Sequence, residues 1–270
     1  MSVETRGTLK ETIEKLVSKN GAVFFAMFSF SSLLFFIAVE SRAAATTATG
    51  PLDDILPTPF IEPGALAFPM PRMYAVLLAL VALFIGSYFA VIATRVFVNR
   101  TAGIPNDAYA ENIGKVTVNM FLGTLAFAPL FIGGLFLPAL AYVSVYGFGM
   151  SPLLVVALAL GVLPGAFVAV SFAFYVPYTT VKSEDFIEAY SLSWGMSSGN
   201  RLSLCGFFLV FLVFFVVAAA VGLGAYVFLW GFSTLVAQLM LAFGASAALV
   251  FTLSLVATVY RRHHGVEETA

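Results

Sequence analysis

The sequence predicts an all-α membrane protein with six transmembrane helices in three hairpin units, each preceded by a short cytoplasmic amphipathic helix. Composition is the first observation: 61% of the 270 residues are hydrophobic and 10% are charged, whereas a soluble domain carries about 25% charged residues. Placement is the second, because residues 116–181 and 202–260 contain no charged side chain. Each stretch suits two helices, since a bilayer core about 30 Å thick needs about 20 apolar residues. We therefore predict a single integral membrane domain over residues 1–270.

Apolar runs divide the chain into six candidate helices. They cover residues 21–39, 73–94, 116–146, 152–181, 203–230 and 231–260. The first run also imitates the apolar core of a cleaved signal peptide. However, about 20 mostly polar residues precede it, including Glu11 and Glu14, whereas a signal peptide begins with a short basic segment. We expect this run to be retained as a membrane helix.

The distribution of basic residues predicts the topology. With six spans and a cytoplasmic N-terminus, eleven lysines and arginines lie inside and only Arg42 and Arg72 lie outside. Short cytoplasmic loops collect Lys and Arg in this way. Three short spans within residues 116–181 would place seven basic residues inside and six outside. The six-span arrangement, with its stronger charge difference, is therefore favoured. It places both termini in the cytoplasm, with residues 261–270 as a tail, and the protein in the plasma membrane.

One long loop is predicted on the extracytoplasmic side, at residues 40–72. It contains six of the chain's 12 prolines, and proline at this spacing prevents regular helices and sheet ladders. Its stretch 55–61 is apolar. Exposed apolar patches are usually covered, so a cap packed on its own helices is favoured over a loop that binds a partner.

Three short amphipathic helices are predicted on the cytoplasmic side. The first lies in residues 1–20, with Thr8 and Glu11 as a capping box and one apolar face formed by Leu9, Ile13, Leu16 and Val17. The second starts at Asn106, and places Tyr109 and Ile113 one turn apart. The third spans residues 183–201 with Ser183 as its N-cap. Its membrane-interface face is predicted to comprise Phe186, Ile187, Tyr190 and Trp194.

The third unit resembles a known family. The segment Val181-Lys182-Ser183-Glu184-Asp185-Phe186-Ile187-Glu188-Ala189-Tyr190-Ser191-Leu192-Ser193-Trp194, followed by Ser198-Gly199-Asn200-Arg201 and an apolar span, is similar to the repeated signature of the glycerophosphoryl diester phosphodiesterase membrane-domain superfamily. The resemblance implies a helical bundle with amphipathic cytoplasmic helices. Phosphodiester hydrolysis is not carried over, because in those enzymes it belongs to a separate catalytic barrel of about 250 residues, which does not fit in this chain.

Few polar residues that could serve in transport or catalysis lie within the predicted spans. No ionisable residue lies in the middle of a span, and such residues usually mark ion pathways. Asn119 and Gln238 are candidate intramembrane polar contacts, more typical of hydrogen bonds between helices than of transport ligands. Small-residue steps at Gly161, Gly165, Gly222 and Gly244 favour close helix packing.

Few residues in the sequence support an enzymatic or metal-dependent function. Ser246 lies in a Gly-x-Ser-x context, but His263 and His264 are about 25 Å further along the same helix. Two histidines alone do not make a metal site, and the single Cys205 permits neither an internal disulfide nor a cysteine-ligated zinc. We expect no catalytic residues, no metal and no cofactor. A net charge of -1 also indicates no nucleic-acid partner.

These patterns favour a non-enzymatic membrane scaffold or accessory protein that acts through lipid or protein contacts. Its expected partners are the lipid bilayer and either other membrane proteins or further copies of itself. The alternative is a small-solute or lipid transporter that uses the proline-kinked third and fourth helices. A membrane enzyme is the third possibility.

Overall fold

The computed structural model describes residues 5–44, 64–101, 103–146, 152–198, 204, 228–229 and 233–264. Every regular element in these ranges is a helix, which confirms the all-α class for this part of the chain. The elements are α1 (Thr5–Val17), α2 (Lys19–Ala44), α3 (Arg72–Asn99), α4 (Asn106–Ala110), α5 (Ile113–Tyr146), α6 (Pro152–Phe172), α7 (Tyr175–Val181), α8 (Phe186–Ser198) and α9 (Thr234–His264).

Five described segments are long and apolar enough to cross a bilayer. They are Lys19–Arg42, Arg72–Asn99, Ile113–Gly134, Leu163–Val181 and Thr234–His264. By length and composition the chain is a multi-pass membrane protein. Most of the predicted fifth span, residues 203–230, lies outside the described residues, so the count of six stays a prediction.

The helices form a bundle in which α2 packs along α3, α5 packs along α6, and α9 lies against α2 and α3. At one end, which we call the basic end, α1 meets the last turns of α9, and the Lys15 ammonium donates to the Thr258 hydroxyl over 2.8 Å. The last turns of α3 and α7 lie at the same end, joined by a bond from Arg95 Nε to the Thr180 carbonyl over 2.8 Å. Consecutive described spans from α2 to α7 therefore alternate in direction.

Basic residues collect at the basic end. They include Lys10, Lys15, Lys19, Arg95, Arg100, Lys115, Lys182, Arg261 and Arg262. Arg42 and Arg72 lie at the opposite end, at the end of α2 and the start of α3. The uneven charge distribution along the sequence thus becomes a charge difference between the two ends of the bundle.

The opposite end, which we call the loop end, is closed by residues 64–70. Three side chains accept hydrogen bonds from the backbone of this segment: Glu40 from Gly64 N–H, Ser41 from Phe68 N–H over 2.9 Å, and Gln238 from Leu66 N–H over 3.2 Å. Buried backbone groups need such partners. The predicted boundary of this loop at residue 40 was wrong, because α2 continues to Ala44. The apolar stretch 55–61 lies outside the described residues.

Two predicted helix starts were also wrong. Helix α1 begins at Thr5, so Thr8 lies inside the helix, and its carbonyl accepts a bond from the Thr12 hydroxyl. Ser183 does not cap α8; its φ of 58° places it in the left-handed turn that ends α7. Helix α8 starts at Phe186, and the Asp185 carbonyl accepts its first bond, from Ala189 N–H. Short polar residues are found both at helix N-caps and in left-handed turns. The spacing of residues in the sequence alone does not distinguish these two positions.

Glycine supports close packing at one of the predicted steps. A Cβ on Gly134 of α5 would lie 3.3 Å from the Gly165 nitrogen, so the α5 and α6 backbones approach each other there. Gly161 and Gly165 are buried. Gly244 is exposed, and no described atom lies within 4 Å of its potential Cβ. Gly222 lies outside the described residues.

Candidate interfacial site at the basic end

Helix α1 turns its polar side toward the protein. Thr8, Glu11 and Thr12 are buried against the bundle. Leu9, Ile13 and Val17 point away from it, and Val17 is 79% exposed. An amphipathic helix on a soluble protein does the reverse, since it buries its apolar stripe. We call Leu9, Ile13 and Val17 the apolar stripe.

The inward side of α1 carries a cluster of charges centred on Glu11. Its Oε1 accepts from Lys15 at 2.9 Å and from Arg261 at 2.7 Å. Its Oε2 lies 3.0 Å from Arg100 and 3.6 Å from Arg262. These residues come from α1, from the C-cap of α3 and from the end of α9. Among the described residues, four basic side chains therefore surround one carboxylate.

Burial and charge act on the two α1 residues of this cluster. Burial alone would raise the pKa of Glu11, but the hydrogen bond from Lys15 and the charges of Lys15, Arg261 and Arg100 hold that pKa below its usual value. Burial lowers the pKa of Lys15 to about 8, and Arg261 and Arg100 contribute to the lowering, while Glu11 opposes it. The cluster therefore loses one positive charge when the pH rises past about 8.

The turn between α1 and α2 determines where Glu11 lies. The Ser18 hydroxyl donates to the Lys15 carbonyl over 2.6 Å and accepts the Gly21 N–H over 3.1 Å. Ser18 thus closes α1 and caps α2 with one side chain. Asn20 donates to the Thr101 carbonyl over 2.8 Å, which ties this turn to the end of α3.

Arg95 connects the neighbouring helix ends. Its side chain is buried, and besides Thr180 it donates to the carbonyls of Ala108 over 3.2 Å and Glu111 over 2.9 Å. These carbonyls lie at or just beyond helix ends, where backbone acceptors lack partners within the helix. A cavity of about 90 Å³ beside Arg95 is also lined by Asn99, Glu111 and Ser183. We interpret Arg95 as a cap for the ends of α4 and α7.

The four residues predicted at the membrane interface on α8 occupy different surroundings. Tyr190 is partly buried. Its ring stacks on the Tyr175 ring with the centroids 4.9 Å apart, and its hydroxyl donates to the Gly123 carbonyl over 2.5 Å. Trp194 lies edge-on to Phe167 at 5.9 Å but stays exposed. Phe186 is partly buried, whereas Ile187 is 69% exposed.

The buried side of α8 is formed by small residues instead. Ala189, Ser193 and Ser197 are fully buried, and the Ser197 hydroxyl donates to the Val170 carbonyl of α6 over 3.0 Å. Since Val170 lies well inside the candidate span Leu163–Val181, α8 runs back along α6 and α7 rather than lying flat across the end of the bundle. The depth of Trp194 in a bilayer stays a prediction.

Asn119 and Gln238 are not brought together. Asn119 donates to Asp185 over 3.2 Å at the basic end, where Asp185 also pairs with Lys115 at 3.4 Å. Gln238 is buried at the loop end, where its side-chain oxygen accepts a hydrogen bond from Leu66 N–H. Each bonds across elements, but a single cavity cannot be lined by both.

The other candidates for chemistry have packing partners. The Ser246 hydroxyl donates to the Ala242 carbonyl over 2.7 Å and lies 3.1 Å from the Ser32 hydroxyl. His264 stacks on Tyr260 at 4.3 Å, and its Nε2 lies 3.3 Å from the Tyr178 hydroxyl. Within the described part of the chain, no three His, Cys, Asp or Glu side chains are grouped so that they could hold a metal ion.

Sequence reasoning missed Glu11, Lys15 and Arg95 as central residues. One signal was present, because α1 carries charged pairs on two sides, Lys10 with Glu14 and Glu11 with Lys15. A helix that rests on a bilayer needs only one such side. The second polar side indicates contact with protein.

The comparisons with known proteins give a family but no activity. A family model described as a domain of unknown function, DUF7847, matches residues 3–263. Neither the curated proteins nor the solved structures contain a match to this chain. Because the family match covers almost the whole length, the chain belongs to the DUF7847 domain family.

Proposed function

We propose that this protein is a non-enzymatic membrane scaffold or accessory protein that acts through lipid and protein contacts at its basic end. One observation carries the proposal: α1 presents its apolar stripe outward at the end of the bundle where the basic residues collect. A short helix with one apolar side and nearby cations binds membrane interfaces or partner helices. The resemblance to phosphodiesterase membrane domains is compatible with this role and stays a prediction.

The outward stripe needs a binding surface. Leu9, Ile13 and Val17 follow one another at helical spacing, so they form a single continuous strip. Burying such side chains is favourable by about 1.5–3 kcal/mol each. Contact with acyl chains or with an apolar partner supplies that burial, whereas contact with water does not.

Transport is the alternative, and it is based on the prolines inside two of the helices. Pro129 and Pro138 lie inside α5 and Pro164 lies inside α6, and prolines of this kind kink helices in transporters and in ordinary bundles alike. Asn119 and Gln238 lie at opposite ends of the bundle and give this alternative no shared binding cavity. A membrane enzyme remains a third and weaker proposal.

We infer that the basic end faces the cytoplasm in the plasma membrane and that residues 203–230 supply a sixth span. Single cysteines at Thr47, Asp107, Ser198 and Glu267, in a Cys205→Ala background, would be labelled from outside intact cells with an impermeant maleimide. Only the cysteine at position 47 is expected to react, since eleven of 13 basic residues favour the inner side. Labelling at position 267 would contradict an even span count.

The functional proposal is tested by what the protein retains on gentle purification. The variant Ile13→Gln with Val17→Gln removes most of the apolar stripe, while Lys10→Gln with Glu14→Gln changes only the exposed ion pair on the same helix. Mass spectrometry would quantify the lipids and proteins that copurify with each form. The stripe variant is expected to lose them and the control to keep them.

Two results would count against this function. One is that the stripe variant retains the same lipids and proteins as the unaltered protein. The other is that the unaltered, reconstituted protein moves a solute or converts a substrate. A proton flux abolished by Glu40→Gln would specifically favour transport, because Glu40 is a buried carboxylate at the loop end.

A further inference from the structure

Helix α1 has three sides of different chemistry. Each residue turns an α-helix by about 100°, which places Thr8, Glu11 and Thr12 together on the side that packs on the bundle. The apolar stripe comes next around the helix axis, and Lys10 and Glu14 follow it. The first side is buried, whereas the side chains of Lys10 and Glu14 are 78% and 64% exposed. The stripe therefore lies between a side that contacts protein and a charged side that contacts water.

The turn after α1 places the stripe close to the membrane boundary. Only Ser18 separates α1 from α2, and α2 begins the candidate span Lys19–Arg42. Consecutive Cα atoms are about 3.8 Å apart, so the Cα of Val17 lies within about 8 Å of the first residue of that span. A Cβ on Gly21 would collide with the Leu16 carbonyl, which shows that α1 packs closely against the first turn of α2.

The ends of two spanning helices hold α1 at this level. Glu11 pairs with Arg100, the C-cap of α3, and with Arg261 in the last turn of α9. Lys15 donates to Thr258 of the same helix. These contacts come from successive turns of α1. Helix α1 therefore lies beside the ends of the spans and does not project from them into the solvent.

The outer side of α2 is apolar where it begins. Ala22, Val23, Phe25 and Ala26 are exposed in its first two turns. Since α2 is a candidate span, exposed residues on it face hydrocarbon. Val17, which is 79% exposed, precedes this surface by a few residues. The stripe and the outer side of α2 therefore border on the same leaflet.

We propose that the apolar stripe of α1 inserts into the bilayer leaflet at the basic end, at the boundary between headgroups and acyl chains, with Lys10 and Glu14 directed toward water. This inference rests on the proposed function and names the bilayer itself as the partner of the stripe. Interfacial helices bury their apolar side about 5–10 Å into that boundary. Because Lys10 pairs with the opposite charge of Glu14 on the exposed side, we attribute the insertion to apolar burial.

The experiment compares neighbouring positions of α1 by fluorescence quenching. Ile13→Cys and Glu14→Cys, each in a Cys205→Ala background, carry a bimane label, and the full chain is reconstituted at low density in phosphatidylcholine vesicles. The label at position 13 should be quenched by phosphatidylcholine brominated on the acyl chain near the headgroup, and much less by aqueous iodide. The label at position 14 should show the reverse. Val17→Cys and Lys10→Cys form a second pair if the thermal midpoint shows that a first variant does not fold.

Three results would overturn the inference. Equal quenching of both labels by iodide would place the stripe in water. A label at position 13 that neither quencher reaches would show that protein covers the stripe, as in a complex of two copies. Quenching by brominated lipid only in vesicles of equal phosphatidylglycerol and phosphatidylcholine content would assign the docking to headgroup charge.

The same measurements separate this inference from the proposed function. If protein covers the stripe while Ile13→Gln with Val17→Gln still loses its copurifying molecules, the proposed function stands with a protein partner. If brominated lipid reaches position 13 while that variant retains the same molecules, α1 lies in the bilayer but the proposed function fails.

Discussion

Replacing Glu11 by glutamine is expected to lower the free energy of unfolding by about 3 kcal/mol, because removing one partner of a buried ion pair leaves the other charges uncompensated. Here Lys15, Arg261, Arg100 and Arg262 would each lose their contact with the Glu11 carboxylate. Denaturant unfolding of the purified protein in one defined detergent would measure the change. The matched control is Glu14→Gln, on the same helix, whose exposed pair with Lys10 at 3.9 Å contributes less than about 1 kcal/mol.

The pH dependence of this difference has a definite sign. The pKa of Glu11 is lowered in the folded protein, so its contribution is present above the unfolded pKa and disappears as the pH falls through the folded one. The gap between the unaltered protein and Glu11→Gln should therefore begin to narrow once the pH falls below the ordinary pKa of glutamate, about 4.3. Lys15 acts differently, because its folded pKa of about 8 lies below the ordinary lysine pKa of 10.5. Its contribution to stability increases as the pH rises between those values. An equal gap at pH 3 and pH 7 would contradict the role of the Glu11 charge.

Replacing Gly21 by alanine is expected to detach α1 from the bundle. A Cβ at this position would collide with the carbonyl oxygens of Lys15 and Leu16 and lie 2.7 Å from the Leu16 carbonyl carbon. These are backbone atoms, so the turn between α1 and α2 has to open. Trypsin should then cleave faster at Lys10, Lys15 and Lys19, and the thermal midpoint should fall.

Gly114→Ala is the matched control for this prediction. Gly114 also lies in the first turn of a spanning helix, and no atom of another described residue outside that turn lies within 4 Å of its potential Cβ. Alanine is a better helix former than glycine by about 1 kcal/mol, so this variant should be as stable as the unaltered protein or more so. Identical cleavage rates for both alanine variants would show that Gly21 does not hold α1 in place.

Much of the architecture could be predicted from local patterns. Apolar runs locate the five described spans because each span needs a certain length of apolar helix, and the basic residues separate because insertion favours them on one side. The helix starts were less predictable. Thr8 and Ser183 have residue types that suit a cap, but the turns that actually form depend on neighbouring helices, which sequence spacing does not contain.

The candidate site was harder to predict for a similar reason. Glu11 pairs with Arg261, a residue 250 positions away, and no local pattern relates the two. Glu11 was instead interpreted as part of a capping box, because that motif needs only residues three positions apart. Of the four residues predicted for the apolar side of α1, three share one outward side: Leu9, Ile13 and Val17. The direction in which this side faces depends on how α1 packs on the bundle. Leu16 is not part of the apolar stripe, because it packs partly against the core.

The contact between Glu11 and Arg261 also has a consequence for biosynthesis. Ribosomes release the N-terminal segment first, so α1 leaves the exit tunnel long before α9 does. Until α9 is inserted, Glu11 and Lys15 lack the Arg261 and Thr258 side chains that they later bind. Helix α1 can therefore dock fully on the bundle only after the last helix, α9, is in place. A nascent chain halted before residue 234 should expose Lys15 to protease, and completion of α9 should restore its protection.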